Sequence, residues 1–106
     1  MKAEVFNASY WIEQELSDPG IQLLEQGVVD SGFVVVGKVE HAFEPVGYTR
    51  LLLLAESHFA LHTFPEEQKT YIEICSCNQE KLLRFIDWLE NHSQLTIKLR
   101  YRHDHG

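Results

Sequence analysis

The sequence predicts an α+β fold, a two-layer sandwich in which two helices pack on one face of a mostly antiparallel sheet. Six segments show the alternation or the β-rich composition typical of strands, and two show apolar residues at helical spacing. Four of the strand-like segments follow one another between the two helical ones, which favours an α+β arrangement. With 106 residues, 44% of them hydrophobic, we expect a single domain, residues 1–106, with one modest core.

The N-terminal part predicts a strand followed by a helix. Residues 2–8 alternate weakly, and three of them would share one side of the strand: Ala3, Val5 and Asn7. Asp18 fits an N-cap, because a proline follows it at the first helical position. Apolar residues then recur at helical spacing until about Ser31: Ile21, Leu24 and Val28. Gly32 fits a C-cap.

The middle of the chain predicts four consecutive strands. Their expected ranges are 33–41, 49–55, 57–63 and 70–77. Pro45 and Gly47 mark the first turn, and Pro65 breaks the chain before the fourth strand. Alternation in the third strand predicts that His58 and His62 share one face.

The C-terminal part predicts a second helix and a last strand. Asn78 fits an N-cap, and four apolar residues form one helical stripe: Leu82, Phe85, Ile86 and Leu89. The last strand follows from the alternation of Leu95, Ile97 and Leu99. The helices must cover one face of the sheet, so the other face, with the histidines and cysteines, is free to hold a site.

Charge and cysteine usage limit the expected partners and compartment. The formal net charge of -7 argues against nucleic acid or an anionic membrane as the main partner. The N-terminus lacks the apolar region of a signal peptide, and the longest apolar run, residues 51–55, is too short to span a bilayer. A bridge between Cys75 and Cys77 would be strained on a strand, so we expect free thiols in a reducing cytoplasm.

Reactive side chains are densest between Glu56 and Cys77, and the residue types alone leave three interpretations open. His58 and His62 could bind a metal with Cys77, although a spacing of four suits a helix better than a strand. Ser57 or Cys77 could be a hydrolytic nucleophile, although the glycines of a nucleophile elbow are absent. A histidine-rich strand that merely faces solvent is the third interpretation, and composition alone favours it.

The segment LLLLAESHFALHTFPEE, residues 51–67, resembles the signature of the bacterial and archaeal S-adenosylmethionine decarboxylases. In that family an apolar strand leads into A-E-S-H, a second histidine follows, and then T-aromatic-P-E. A cysteine stands further along the chain. The matching positions here are Ala55 to His58, His62, Thr63 to Glu66 and Cys77. The length of the chain and the order of its elements are also similar, so the resemblance extends beyond the motif.

The resemblance implies that the chain cleaves itself. Ser57 attacks the carbonyl carbon of Glu56, the peptide bond becomes an ester, and β-elimination splits the chain into residues 1–56 (β chain) and 57–106 (α chain). The new terminal residue then loses ammonia, so the cofactor is a pyruvoyl group derived from Ser57. Such a carbonyl condenses with the substrate amine and supplies an electron sink that ordinary side chains lack.

The resemblance also implies roles for the other site residues. His62 would assist self-processing, as would the hydroxyl of Thr49, where the family usually has serine. Cys77 would protonate the carbanion left by carbon dioxide, and burial in apolar surroundings would keep its thiol protonated. Four residues would bind the substrate: Phe43 and Phe64 around the adenine, Glu66 at the ribose hydroxyls, and Phe59 largely through its backbone.

The function that the resemblance implies is decarboxylation of S-adenosylmethionine for spermidine synthesis, by a cytoplasmic homodimer of processed protomers without a metal ligand set. The loop after Pro65-Glu66 departs from the family, which commonly has glycine and small apolar residues there, whereas residues 67–73 are bulkier and charged. Members of the family have shifted to other amino acids. A decarboxylase of arginine or ornithine with the same fold, or a catalytically silent homologue, therefore stays as an alternative.

Overall fold

The structure, a computed structural model, describes residues 4–92, 95 and 97–105. Its strands are β1 (Val5–Ile12), β2 (Val35–Ala42), β3 (Tyr48–Leu54), β4 (Ser57–Phe64), β5 (Lys69–Ser76) and β6 (Ile97–His105). Its helices are α1 (Asp18–Asp30) and α2 (Gln79–Glu90), and a short 3-10 turn spans Pro65–Glu67. The predicted order of helices and strands is therefore confirmed.

The six strands form one antiparallel sheet in the order β2-β3-β4-β5-β1-β6. Both helices contribute to the core that covers one face, so the predicted two-layer α+β sandwich is confirmed. The predicted stripe of α2 is buried, and Phe85 meets Phe59 of β4 at a ring-centroid distance of 6.0 Å. We call the other side of the sheet the open face. His58, His62 and Cys75 lie on it, which agrees with the alternation in the sequence.

The first strand lies further along the chain than the sequence analysis expected. It begins at Val5 and ends at Ile12, and its core-facing residues are the even-numbered ones: Phe6, Ala8, Tyr10 and Ile12. Val5 and Asn7 do share one side, as expected, and Ala3 lies outside the described residues. Asn7 and Ser9 occupy the side away from the core and keep the alternation, but the apolar Trp11 on the same side interrupts it before the strand ends.

The ends of the helices differ slightly from the expected positions. The N-cap of α1 is Ser17, and Asp18 is already the first helical residue, with proline next to it. Ser31 is the C-cap and Gly32 follows with a φ of 104°, a conformation that favours glycine. Asn78 caps α2 as predicted, since its side chain accepts a hydrogen bond from the amide of Lys81 at 3.0 Å. No helix among the described residues is long and apolar enough to cross a membrane.

The two helices approach each other closely at Gly27 of α1. A Cβ atom there would lie 2.5 Å from the ring of Trp88 in α2. That ring cannot easily move, because Phe85 stacks on it at 5.9 Å and His92 contacts it at 4.9 Å. Only glycine therefore fits at this helix crossing.

We expect the substitution Gly27→Ala to lower the free energy of unfolding by about 1–3 kcal/mol, because overpacking outweighs the better helix propensity of alanine. Urea denaturation would measure the change. The matched control is Gln22→Ala on the exposed side of the same helix, which should stay within about 0.5 kcal/mol of the parent chain. Equal stability of the Gly27→Ala variant and the parent would contradict the close approach.

Candidate active site

The predicted cleavage position lies in the tight hairpin between β3 and β4. Leu54 pairs with Ser57, so only Ala55 and Glu56 form the turn. Glu56 has a φ of 62°, in the left-handed region that residues with a side chain rarely adopt. This conformation costs about 1–2 kcal/mol for an ordinary residue. The peptide bond between Glu56 and Ser57 therefore follows a strained residue at one end of the sheet.

The hydroxyl of Ser57 is buried and held by a second hydroxyl. Ser57 Oγ donates a hydrogen bond of 2.7 Å to Ser76 Oγ on β5. Ser76 is itself buried and accepts the backbone N–H of Asn78 at 2.9 Å. Ser76 could not be identified from the sequence, because only the register of β4 against β5 pairs it with Ser57.

The thiol of Cys77 lies beside the carbonyl group that Ser57 would attack. Cys77 Sγ donates to the carbonyl oxygen of Glu56 at 3.4 Å and lies 3.9 Å from Oε2 of the same residue. The structure thus brings together Glu56, Ser57 and Cys77 as the motif predicts. The expected burial of the Cys77 thiol is wrong for the single chain, where this residue is exposed. It is Cys75 that is half-buried, and burial raises the pKa of its thiol.

A cavity of about 310 Å³ adjoins the hairpin. Glu56, Ser57 and Cys77 line it together with His58 of the open face. We call this group of residues and its cavity the cleavage end. Among the described residues, no three histidine, cysteine, aspartate or glutamate side chains converge to hold a metal ion.

His62 and Thr49 form a second group at the other end of β4. They are paired across β3 and β4, and Thr49 Oγ1 lies 2.9 Å from His62 Nδ1. The direction of this hydrogen bond depends on the tautomer of the imidazole. When Nδ1 carries the proton and donates to Thr49, Nε2 bears a lone pair and can act as a base.

The predicted adenine-binding residues surround the same second group. Phe43, Phe64 and Glu66 line a cavity of about 340 Å³ whose wall also includes Thr49 and His62. Phe43 and Phe64 are both partly exposed, as residues that bind a ligand must be. We call these five residues the aromatic end.

Phe59 differs from the other predicted substrate-binding residues. Its side chain is 2% exposed and packs against Phe85 in the core, so only its backbone could contact a ligand. This location agrees with the expected contact through the backbone.

The cleavage end and the aromatic end of one chain are far apart. Ser57 and His62 are separated by five residues of an extended strand, a distance of about 16 Å. Their side chains also point to opposite faces, because Ser57 faces the helices and His62 lies on the open face. His62 of one chain therefore cannot reach the hydroxyl of its own Ser57.

The loop between the aromatic end and β5 contains a second residue with positive φ. Gln68 has a φ of 54° and ends the short turn of Pro65–Glu67. The left-handed conformation at this position favours glycine, and the family that the sequence resembles commonly has a glycine in this loop.

Comparisons with known proteins agree with the motif. The sequence profile of the family described as S-adenosylmethionine decarboxylase matches residues 13–97. An S-adenosylmethionine decarboxylase proenzyme of Prochlorococcus marinus is 36% identical over 52 residues, which cover 49% of this chain and 42% of that protein. A proenzyme of the same name from Thermotoga petrophila is 31% identical over 75 residues, covering 67% of this chain and 57% of that protein.

A solved structure shares the fold. The crystal structure of the adenosylmethionine decarboxylase from Aquifex aeolicus matches with a TM-score of 0.73 at 23% sequence identity, covering 99% of this chain and 91% of that one. The chain spans 42% of the length of the Prochlorococcus marinus proenzyme and 57% of the length of the Thermotoga petrophila proenzyme.

Proposed function

The chain belongs to the S-adenosylmethionine decarboxylase family, and we propose that it is a self-cleaving, pyruvoyl-dependent decarboxylase that acts on S-adenosylmethionine. One observation carries the proposal most directly. The family's A-E-S-H motif forms a tight turn in which the Cys77 thiol lies 3.4 Å from the carbonyl oxygen before Ser57. A nucleophile, the carbonyl group of a residue with a strained backbone conformation and a proton donor thus lie at one peptide bond.

The first proposed step is an acyl shift at this peptide bond. Ser57 Oγ gives up its proton and bonds to the carbonyl carbon of Glu56, and the C–N bond then breaks as the nitrogen of Ser57 takes a proton. In the next step the Cα proton of residue 57 is removed, its Cβ–Oγ bond breaks, and Glu56 leaves as a carboxylate. Water then releases ammonia from the new terminus and leaves the pyruvoyl group.

Two features of the turn favour cleavage, each at a different step. The hydrogen bond from Cys77 stabilises the negative charge that develops on the carbonyl oxygen of Glu56 during the acyl shift. The left-handed conformation of Glu56 can relax once elimination has cut the chain, so cleavage releases strain of about 1–2 kcal/mol.

The residues at the cleavage end also fit decarboxylation. The pyruvoyl group supplies an electron sink for the carbanion when it is present. The cavity of about 310 Å³ beside Ser57 leaves room for the amino-acid part of a substrate. Cys77 lines this cavity, so its thiol can donate a proton to the carbon that loses carbon dioxide.

The aromatic end fits the nucleoside part of S-adenosylmethionine. Phe43 and Phe64 offer aromatic faces for stacking on adenine and for attracting the sulfonium charge. Glu66 in the same cavity can accept hydrogen bonds from ribose hydroxyls. These residues would be of little use for a small basic amino acid, which favours S-adenosylmethionine over arginine or ornithine.

The separation of the two ends supports a homodimer. We propose that the cleavage end of one chain faces the aromatic end of another. A two-fold axis between the chains would repeat this contact and give two identical sites. His62 and Thr49 would then act on the Ser57 of the partner. The open face suits such a contact, because Val39, Leu51 and Leu53 on it are 66%, 43% and 58% exposed.

Release of labelled carbon dioxide tests the substrate. The cleaved protein would be incubated separately with carboxyl-labelled S-adenosylmethionine, arginine and ornithine. We expect release only from S-adenosylmethionine. Release only from arginine or ornithine would reject S-adenosylmethionine as the substrate, although the chain would still be a decarboxylase. A chain that never cleaves would indicate a silent homologue.

A further inference from the structure

Tyr71 of β5 lies next to His62 and has no role in the chemistry described above. The two residues are paired across β4 and β5, and their rings stack with a centroid distance of 6.3 Å and an interplanar angle of 24°. Thr49 holds the edge of the same imidazole through Nδ1. The imidazole is therefore held by a hydrogen bond from β3 and by a ring face from β5.

Tyr71 is itself held in place by two contacts. Trp11 of β1 contacts its ring at a centroid distance of 5.0 Å. The phenol donates a hydrogen bond of 3.0 Å to Glu73 Oε2. Burial raises the pKa of the phenol, so the hydroxyl stays protonated and keeps this hydrogen bond. Because the ring of Tyr71 is held in this way, it can restrain the neighbouring imidazole of His62.

These contacts form a continuous row across the open face. The cross-strand pairs join Trp11, Tyr71, His62, Thr49 and His41 in order, from β1 through β5, β4 and β3 to β2. Within this row, Nε2 of His62 has no hydrogen-bond partner among the residues that the structure describes. The row thus restrains the ring and leaves one nitrogen available for proton transfer.

We propose that Tyr71 is a positioning residue, which orients the His62 imidazole so that Nε2 points away from the sheet toward the partner's cleavage end. This inference rests on the proposed self-cleavage and on the role of His62 in it. The aromatic ring of Tyr71 carries the effect, and its hydroxyl only anchors the ring. Removal of the ring should therefore matter far more than removal of the hydroxyl.

Two substitutions separate the ring from the hydroxyl. Tyr71→Leu removes the stacking surface but keeps an apolar side chain that fits the half-buried site, and Tyr71→Phe keeps the ring. We expect Tyr71→Leu to slow self-cleavage by about tenfold to a hundredfold, because a small misplacement of a catalytic group can cost about 10²-fold. Tyr71→Phe should cleave at nearly the parent rate. Thermal unfolding of both variants shows whether either has lost its fold.

A second measurement does not depend on cleavage. In the uncut Ser57→Ala chain, the ring protons of His62 should resonate upfield in the NMR spectrum, since the imidazole stacks on the ring of Tyr71. Adding Tyr71→Leu should remove this shift, and adding Tyr71→Phe or the control Glu73→Gln should keep it. If the parent chain never cleaves, the proposed function fails, yet this spectrum still tests the stacking.

Any of three results would overturn the inference. One is cleavage of a folded Tyr71→Leu variant at the parent rate, which would show that His62 needs no aromatic support. Another is a Tyr71→Phe variant as slow as Tyr71→Leu, which would assign the effect to the hydroxyl. Unchanged His62 signals in the Tyr71→Leu spectrum would equally reject the stack.

Discussion

Replacing Ser57 with alanine is expected to leave every chain uncut and to abolish decarboxylation. Alanine has no oxygen to attack the carbonyl carbon of Glu56, and without cleavage no pyruvoyl group can form. Because both reactions depend on one atom, this substitution should have the largest effect of any in the chain. Denaturing electrophoresis would follow cleavage, and release of labelled carbon dioxide would follow activity.

The Ser57→Ala variant should nevertheless fold. Ser57 is a small buried residue, and alanine removes only one of the two hydrogen bonds that Ser76 Oγ accepts, since the amide of Asn78 still donates to it. The matched control is Ser17→Ala, an exposed serine whose side chain makes no capping hydrogen bond. That control should cleave like the parent. Fragments that still form in the Ser57→Ala variant would show that another residue is the nucleophile.

Co-expression of two defective chains should restore cleavage of one of them. Alone, a His62→Ala chain should cleave at least about 10²-fold more slowly than the parent, the typical loss of a general acid or base. Beside a Ser57→Ala chain it should be cut again, because the partner supplies His62 while the His62→Ala chain keeps its own Ser57. Different affinity tags on the two chains would show which one is cut.

This result depends on the geometry of β4. Ser57 and His62 of one chain are about 16 Å apart along the strand and face opposite sides of the sheet. The Ser57→Ala chain should stay whole in the mixture, since no partner can replace its missing oxygen. If the His62→Ala chain stays uncut beside a partner chain with an intact His62, the cleavage end of one chain does not face the aromatic end of another. Efficient cleavage of that chain alone would instead remove His62 from the reaction.

Much of the fold could be predicted because its signals are local. Alternation marked β4 and β5, and the apolar stripe of α2 begins directly after Asn78, whose side chain caps the helix. The end of β1 could not be predicted in the same way. Asn7 and Ser9 face away from the core and keep the alternation, but Trp11 faces the same way and is apolar, so Tyr10 to Ile12 is an unbroken apolar run.

The candidate site was less predictable than the fold, because it depends on strand register. The motif identified Ser57, His62 and Cys77, yet spacing alone does not say which residues meet. Only the pairing of β4 with β5 brings Ser76 to Ser57 and Tyr71 to His62. That register is set by the connection formed by Pro65–Glu67 and Gln68. No residue pattern in this loop predicted its conformation.

The intact mass of the purified protein, under denaturing and reducing conditions, is the most direct test of self-cleavage. Self-cleavage predicts two species, residues 1–56 and residues 57–106, and the second should carry a pyruvoyl group that blocks its N-terminus. A control preparation of Ser57→Ala should give one species of full length. A single full-length mass for the parent chain, unchanged after long incubation, would contradict self-cleavage at the Glu56–Ser57 bond and the activity that depends on it.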